Sequence, residues 1–459
     1  MAPESARVTA LAAEPRSVAF AVLRAVADDD AYANLVLPRL LAEAGLGGRD
    51  AALATELSYG TLRATGTLDQ ILRRCSSREL ADVEVPVLDL LRLGSYQLLR
   101  TRIPSHAAVA TTVELARRTG NARACGFVNA VLRKVAADDF ETWCERLGRD
   151  ESPLGRLAIR YAHPGWIVGA FAEALGDPLG GGELEAALAA DDARPQTHLV
   201  GWPDRIKRET LAAESGGTPG PYSPFAVRLS SGGDPAALAP IRGRLAGVQD
   251  EGSQLCALAL ACLPMSGPDE RWLDMCAGPG GKTALLASLS AGRGVRLTAN
   301  ELHPHRAWLI AKATAGWDVE ITVGDSRRLS GRPPGFDRIL LDAPCTGLGS
   351  LRRRPEARWR RDRQDLADLV RLQGELLHAA VALVRPGGVV GYVICSPHLA
   401  ETQGQIADLL ATSAVPVELL DARPQFRSVP GLDDSPTVQL WPHRHGTDAM
   451  FFAGLRRLA

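Results

Sequence analysis

Two cysteines stand shortly after predicted strands in the second half of the chain, and each could act as a nucleophile. Cys345 follows the apolar run Ile339–Leu341 and Asp342, and Cys395 follows the run Val389–Ile394. Where strands and helices alternate, the carboxyl ends of neighbouring parallel strands face one cleft, so both thiols should face it. A single free cysteine is commonly a small buried apolar residue. Two of them at neighbouring strand ends favour a role in chemistry.

Carbon 5 of a pyrimidine base is a target for which such thiols would be needed, because it is too weak a nucleophile to attack a methyl sulfonium directly. A thiolate that adds to carbon 6 raises the electron density at carbon 5. A base must then remove the carbon 5 proton before the thiolate leaves. Asp342 is the candidate for stabilising the adduct near ring nitrogen N3, and the second cysteine for assisting the release.

A glycine-rich turn, Cys276–Thr283, lies between a predicted strand and a predicted helix. Glycines at such a turn let a ligand approach the backbone and its N–H groups closely. A phosphate-binding P-loop would need glycine where Cys276 stands, and a dinucleotide fingerprint would need glycine where Thr283 stands. Both patterns are therefore incomplete. Glu301 and Asp325 end the next two strands, where they could bind a ribose diol and an adenine amino group. Together they predict an adenosine ligand without phosphates, S-adenosyl-L-methionine.

The elements that must position these residues form three predicted regions. From about residue 247 short apolar strands alternate with helices, which is typical of a doubly wound, Rossmann-like α/β sheet. The front of the chain shows helical periodicity throughout and predicts an all-α bundle. A mixed stretch lies between them. We therefore predict a helical domain over 1–145, a small α/β linking subdomain over 146–245 and a catalytic α/β domain over 246–459.

A basic segment follows Cys345, with seven arginines against two acidic residues between Ser350 and Gln364. Arginines beside a catalytic loop could bind RNA phosphates, and Trp359 could stack on an extruded base. A salt-bridged helix surface is the alternative. The predicted RNA-binding residues are Arg352, Arg353, Arg354, Arg358 and Trp359.

Composition limits the class of protein. The 459 residues are 46% hydrophobic and 23% charged, which excludes a disordered, collagen-like or disulfide-scaffold chain. The net charge of -1 gives no overall basic field, so a nucleic acid would have to meet a local patch. We find no signal peptide, no apolar run long enough to span a membrane and no metal-ligand cluster, since His443 and His445 have no acidic or cysteine partner nearby. The eight cysteines, without a CxxC pair, indicate reduced thiols in the cytoplasm.

At these motifs the sequence resembles the RNA 5-methylcytosine methyltransferases of the Sun/Fmu family, also called the NOL/NOP/Sun family. The matching segments are 248–254, 273–283, 342–345, 352–355, 395–396 and 446–452. Tyr59–Arg63 and Gly126–Arg133 are similar to the NusB-like RNA-binding bundle of the bacterial 16S rRNA members. The resemblance implies a class I methyltransferase domain and a 16S rRNA substrate, either naked or in a small-subunit assembly intermediate. We expect a monomer.

The resemblance also implies roles for single residues. It makes Cys395 the nucleophile and Cys345 the group that assists product release. The residues that it places around S-adenosyl-L-methionine are Cys276, Ala277, Gly278, Pro279, Gly280, Gly281, Lys282, Glu301, Asp325 and Asp342. The chain departs from the family at Ile394, where threonine is usual, and at Glu401–Gln403, a reduced acidic segment.

Several alternatives stay open at this point. Cys345 could be the attacking thiol, as the Pro-Cys cysteine is in DNA cytosine methyltransferases. The substrate could be a transfer RNA, or the chain could be an RNA-binding assembly factor with weak catalysis. A P-loop NTPase is a more distant alternative.

Overall fold

The structure is a computed structural model that describes residues 14–230, 233–331 and 335–458. The chain forms two compact units. The first runs to Arg194 and also contains Leu351–Arg360, and the second contains Pro195–Ser350 and the residues from Arg361 onward. Within the described ranges no helix is both long and apolar enough to cross a bilayer.

The first unit is helical, as predicted. Its longer helices are α1 (Pro15–Asp28), α2 (Ala33–Glu43), α3 (Gly48–Cys75), α4 (Val85–Arg100), α5 (Ser105–Arg118), α6 (Cys125–Val135), α7 (Phe140–Gly148), α8 (Pro153–Arg160), α9 (Gly165–Ala174) and α10 (Gly182–Asp192). The long helix α3 has Asp50 in its first turn and Arg73 and Arg74 in its last turn. Charges of these signs at these ends interact favourably with the helix dipole and stabilise the helix. Its fully buried Leu57, Leu68 and other apolar residues lie in the core that the surrounding helices share.

This unit extends past residue 145, where the sequence analysis ends the helical domain. Helices α8 to α10 lie in the stretch predicted as a linking α/β region. Ile159 of α8 packs with Phe140 and Cys144 of α7, and its carbonyl oxygen accepts a hydrogen bond from Thr67 of α3. The β-structure of the linking region begins only at His198.

The segment Leu351–Arg360 belongs to the helical unit through a buried arginine. The Arg358 side chain is 0% exposed. Its guanidinium donates to the Asp192 carboxylate at 3.2 Å and to four backbone carbonyl oxygens. Those carbonyls belong to Arg63, Tyr161, Ala162 and Asp191. A guanidinium presents five fixed donors, so it can satisfy several carbonyls that would otherwise lie buried without a partner.

The neighbours of Arg358 attach the same segment. The Trp359 Nε1–H donates to the Leu62 carbonyl at 3.3 Å, and its ring lies where a side chain on Gly66 would collide with it. Arg360 donates to three further backbone carbonyls. They belong to Val26, Asp30 and Ala31. The segment, whose residues 357–360 form a single helical turn, is thus bound mainly through backbone carbonyls of the helical unit.

The second unit begins with a small antiparallel sheet and one longer helix. Its elements are β1 (His198–Gly201), α11 (Arg208–Ser215), β2 (Gly217–Pro219), β3 (Ala226–Leu229) and β4 (Ala246–Val248), with a short helix at Ala239–Arg242. The strand order is β2-β3-β1-β4. Arg228 of β3 binds the fully buried Glu251 carboxylate at 2.7 Å, which attaches this sheet to the following helix.

The large sheet of this unit is doubly wound, as predicted. Its strands are β5 (Arg271–Asp274), β6 (Arg296–Glu301), β7 (Val319–Val323), β8 (Phe336–Asp342), β9 (Val384–Ile394), β10 (Val417–Leu420), β11 (Val438–Gln439) and β12 (Phe451–Arg457). The order is β10-β12-β9-β8-β5-β6-β7, and β11 pairs with β12. Strands β5 to β9 run parallel, whereas β12 is antiparallel to β9 and β10.

Helices cover this sheet and bury its strands. They are α12 (Glu251–Cys262), α13 (Gly281–Ser290), α14 (Pro304–Ala313), α15 (Arg363–Leu383) and α16 (Gln403–Thr412), with a short helix at Pro442–His445. Residues of β8 alternate between two apolar clusters, so that Leu340 packs with α12 and α13 while Ile339 and Leu341 pack with α15. Such continuous apolar strands are typical of parallel sheets with both faces covered.

Replacement of Arg358 tests its structural role. Arg358→Ala leaves several buried carbonyls and one oxygen of the Asp192 carboxylate without this donor, while Arg100 still binds the other oxygen. We expect a loss of about 3–5 kcal/mol in the free energy of unfolding. Calorimetry of the full chain should show this as a lower midpoint for the helical transition. Arg354→Ala, at an exposed position of the same segment, is the matched control and should cost less than about 1 kcal/mol. An unchanged midpoint for Arg358→Ala would contradict the assignment.

Candidate active site

The two predicted cysteines meet at the carboxyl edge of the large sheet. The Cys345 and Cys395 sulfur atoms are 3.2 Å apart. The register of the parallel pair β8–β9 places Asp342 opposite Val393, so the loops that carry the cysteines begin side by side. Both side chains are partly buried. The Gly349 N–H donates to the Cys395 carbonyl at 2.9 Å and ties the two loops together again.

The close contact makes the two thiols chemically unequal. The hydrogen bond with Cys395, followed by burial, raises the pKa of the Cys345 thiol well above its usual value. A raised pKa keeps the proton on Cys345, while the distance between the sulfurs allows either atom to be the hydrogen-bond donor. A thiolate is the nucleophilic form of cysteine, and a protonated Cys345 leaves Cys395 as the sulfur that could take that form.

Asp342 lies at the start of the Cys345 loop and pairs with a lysine of the glycine-rich turn. The Lys282 ammonium is 2.7 Å from the Asp342 carboxylate. Burial alone lowers the pKa of Lys282, but the charge of Asp342 and its hydrogen bond raise it overall, so the ammonium stays charged. The pair joins the glycine-rich turn to the cysteine loop within one unit.

The glycine-rich turn has the shape that the sequence predicts. Gly280, just before α13, has a φ of 108°, which favours glycine. A side chain there would also lie 2.9 Å from the Ala313 side chain. At Gly278 a Cβ atom would lie 2.2 Å from a Glu301 carboxylate oxygen. The turn therefore brings bare backbone next to the acid that ends β6.

The two predicted ribose- and adenine-binding acids differ in their present contacts. Glu301 is 4% exposed and accepts hydrogen bonds from the backbone N–H groups of Gly278 and His303, at 3.1 and 3.0 Å. Asp325 lies beyond the end of β7 and binds the Arg327 guanidinium at 2.6 Å, which lowers the pKa of its carboxyl. Both are carboxylates at successive strand ends, which suits hydroxyl and amino donors of a ligand.

One acid of this edge was missed by the sequence analysis. Asp274 ends β5 and is 1% exposed, and burial raises the pKa of its carboxyl to about 7. Thr283 donates to one carboxylate oxygen at 2.7 Å, whereas the other has no partner among the described residues. Its position at a strand end, like those of Glu301 and Asp325, could have pointed to it.

The residues at this edge fit S-adenosyl-L-methionine. Carboxylates at the strand ends can accept from its hydroxyl and amino groups, and the turn around Gly278 and Gly280 offers backbone without side chains. The Lys282 ammonium is engaged by Asp342 and is thus not placed as a phosphate ligand. The Cys276 thiol, which the resemblance places at this site, has its pKa raised by burial and remains a protonated, neutral group.

A buried glutamate, which was not predicted from the sequence, is hydrogen-bonded to the Cys345 loop. The Glu401 carboxylate is fully buried and accepts the Thr346 N–H at 2.8 Å. Gln373 of α15 donates to the same carboxylate at 3.0 Å. The sequence signalled Glu401 only as the remainder of an acidic segment, and a glutamine within a helix carries no signal at all. Ile394, the other departure, is fully buried in the apolar core.

The structure places part of the predicted RNA-binding set away from solvent. Arg358 is fully buried on carbonyl oxygens, and Arg352 is 6% exposed. Acceptors of the helical unit use the Arg358 donors that phosphate would need, so this arginine is bound inside the unit rather than offered to RNA. An RNA contact by Arg352 stays a prediction. Arg354 and Trp359 are exposed, and Arg353 is half-buried.

Comparisons with known proteins identify the family of the chain. The family model described as 16S rRNA methyltransferase RsmB/F matches residues 262–456, and the NusB family model matches residues 13–137. A protein of Mycobacterium tuberculosis (strain ATCC 25618 / H37Rv) is 56% identical to this chain over 446 residues, which is 96% of each chain. Its name describes a methyltransferase and states no substrate. Ribosomal RNA small subunit methyltransferase B of Enterobacter sp. (strain 638) is 31% identical over 453 residues, 96% of this chain and 98% of that one.

Solved structures share the fold at low sequence identity. The crystal structure of PH0851 has a TM-score of 0.79 and 20% identity, and all of both chains is covered. NSun6 from Pyrococcus horikoshii, solved with SFG, has a TM-score of 0.53 and 19% identity over 64% of this chain and 98% of that one. The relatives span nearly the whole length of this protein. The chain therefore belongs to the RsmB/F family of S-adenosyl-L-methionine-dependent RNA methyltransferases, with a NusB-family domain ahead of the catalytic domain.

Proposed function

We propose that this protein methylates carbon 5 of a cytosine in 16S rRNA through a covalent cysteine adduct. The observation that carries the proposal is the pair of sulfurs at the ends of β8 and β9, 3.2 Å apart, beside the Lys282–Asp342 pair. Methylation at an exocyclic nitrogen or a hydroxyl would need no such pair of thiols. Carbon 5 does need one, because it becomes nucleophilic only after addition at carbon 6.

The reaction balances with the residues at hand. The Cys395 thiolate adds to carbon 6 and places a negative charge on the ring, near N3 and at carbon 5. Bound S-adenosyl-L-methionine supplies the methyl group that carbon 5 takes up. Loss of the carbon 5 proton to a base then lets the carbon 6–sulfur bond break, which returns the Cys395 thiolate and leaves 5-methylcytosine.

Cys345 is the base that we assign to this release. Its pKa is raised mainly by the hydrogen bond with Cys395. Once the Cys395 sulfur is bonded to carbon it no longer carries the charge that holds this proton. Cys345 can then lose the proton to solvent and, as a thiolate 3.2 Å from the adduct sulfur, take the proton of carbon 5.

Asp342 and Lys282 would act on the ring. Asp342 stands three residues before Cys345, and its side chain is 29% exposed, so it can meet a base in the cleft. In a site from which a base excludes water, the Lys282 ammonium, held in place by Asp342, would stabilise the negative charge that develops near N3.

The family and the NusB domain support an RNA of the small ribosomal subunit as the substrate. The exposed Arg354 and Trp359, together with Arg353, remain the proposed RNA contacts of the basic segment. The proposal includes a monomer that works in the cytoplasm on 16S rRNA, naked or within an assembly intermediate.

The first test is transfer of a labelled methyl group to a 16S rRNA transcript, a transfer-RNA pool and a DNA duplex, with nucleoside analysis. We expect label in 5-methylcytosine from the 16S transcript alone. Label in 5-methylcytosine of transfer RNA alone would support the proposed reaction but contradict 16S rRNA as the substrate. Label in a nucleoside other than 5-methylcytosine would overturn the chemistry.

Single cysteine variants test the two sulfur roles. Cys345→Ser should accumulate a covalent protein–RNA adduct on a denaturing gel, because addition proceeds and release fails. Cys395→Ser should form no adduct. Cys262→Ser replaces an exposed cysteine of the same unit and is the control, with wild-type behaviour expected. The reverse pattern would make Cys345 the nucleophile.

Asp342→Asn separates a role at the base from a role at the cofactor. If the carboxylate stabilises the adduct, kcat should fall by about 100-fold while the KM for S-adenosyl-L-methionine stays within about threefold. Steady-state kinetics with the methylated transcript as readout would measure both. A raised KM for the cofactor with kcat unchanged would instead place Asp342 in cofactor binding.

A further inference from the structure

A buried carboxylate links the two cysteine loops. Glu401 ends the short turn Leu399–Glu401 that follows Cys395, and its side chain is 0% exposed. It accepts two hydrogen bonds from Thr346, from the backbone N–H at 2.8 Å and from the hydroxyl at 2.5 Å. Thr346 is the residue directly after Cys345. A carboxylate is costly to bury, so its full set of donors indicates a defined task.

The same carboxylate also reaches the other side of Cys345. The Gln373 side-chain amide donates to Glu401 at 3.0 Å and to the Pro344 carbonyl at 2.8 Å. Pro344 is the residue directly before Cys345. Both peptide neighbours of the release cysteine are therefore tied to Glu401, one directly and one through Gln373.

Further contacts hold Glu401 itself on the Cys395 side. The Tyr392 hydroxyl donates to the Glu401 carbonyl at 2.8 Å, and Tyr392 lies on β9, three residues before Cys395. The Ser396 and Thr346 hydroxyls are 3.2 Å apart, which adds a bridge between the residues that follow each cysteine. The network thus connects the two loops through residues that precede and residues that follow the cysteines in the chain.

The charge of Glu401 also acts on the Cys345 thiol. Cys395 and Glu401 both raise the pKa of the Cys345 thiol, and Cys345 in turn contributes to the raised pKa of Tyr392. After the hydrogen bond with Cys395 and burial, the Glu401 charge is a further cause of the raised Cys345 pKa. A negative charge here keeps the proton on Cys345 and makes its thiolate, once formed, a stronger base.

We propose that Glu401 is a positioning residue that holds Cys345 within reach of the adduct on Cys395, so that the release step depends on it. The inference rests on the proposed function, since it assigns a group to the release of 5-methylcytosine. Glu401 does not face the substrate and acts only through the Cys345 loop. Its loss should slow release more than addition.

Glu401→Gln is the first variant, because it keeps the size of the side chain but turns one acceptor oxygen into a donor that faces other donors. We expect kcat to fall by about 100-fold, as a shift near 1 Å in a reacting group can cause. The KM values for RNA and cofactor should stay within about threefold. The fraction of enzyme bound covalently to RNA on a denaturing gel should rise, as we also expect for Cys345→Ser.

Two further variants keep the test decisive. Gln373→Met removes the bridge to Pro344 and leaves the Glu401 carboxylate in place. It should therefore lower kcat and raise the covalently bound fraction in the same way as Glu401→Gln, but by smaller amounts. Gln403→Ala, at an exposed position two residues beyond Glu401, is the matched control and should behave as wild type. RNA with 5-fluorocytosine at the target traps the adduct before release, so Glu401→Gln should still form that adduct.

The outcomes separate failure of this inference from failure of the proposed function. If the wild-type protein forms no adduct with 5-fluorocytosine RNA, the proposed function fails. If the wild type forms it but Glu401→Gln loses adduct formation, or raises both KM values, Glu401 has a general structural role and the inference is overturned. Normal turnover by Glu401→Gln would overturn it as well.

Discussion

The contact between the Cys345 and Cys395 sulfurs is the interaction on which the rest of the catalytic unit depends. The two sulfurs lie 3.2 Å apart, and their hydrogen bond raises the pKa of the Cys345 thiol, so the proposed roles of nucleophile and release base both depend on this contact. Such a separation needs two loops fixed to a fraction of an ångström. Because β8 and β9 pair in parallel, the two cysteine loops begin side by side at the same sheet edge. The buried Glu401 carboxylate then links the loops through hydrogen bonds from Thr346 and Gln373.

The cofactor edge and the cysteine cleft are parts of one sheet edge, and Lys282 connects them. The glycine-rich turn before α13 has close approaches that exclude side chains, as Gly278 and Gly280 show. Lys282 lies in the first turn of α13 and binds Asp342 at the end of β8. A ligand on the turn and a base in the cleft would therefore both lie next to this fixed ion pair. Water would weaken its electrostatic interaction with them less here than at an open surface.

Arg358 shows why charge in a sequence does not identify a nucleic-acid site. A guanidinium binds phosphate oxygens and carbonyl oxygens with the same donors. In this fold the carbonyls at helix ends and turns of the helical unit provide the acceptors, and Arg358 and Arg360 are bound to them. The chain leaves the catalytic unit after Ser350, five residues beyond Cys345, and returns at Arg361. The basic segment is thus in large part a structural attachment.

The sequence by itself determined the helical bundle, the doubly wound sheet and the residues at the strand ends, because these depend on local periodicity and on the rule that parallel strands share one edge. Cys345, Cys395, Glu301 and Asp325 could all be named from that rule. Only the tertiary structure decided which buried polar groups hold distant parts of each unit together. Glu401 is joined to Thr346, 55 residues away, and Arg358 to Asp191, 167 residues away. A buried hydrogen bond between distant residues leaves no period or spacing in the chain, since its partners are chosen by packing.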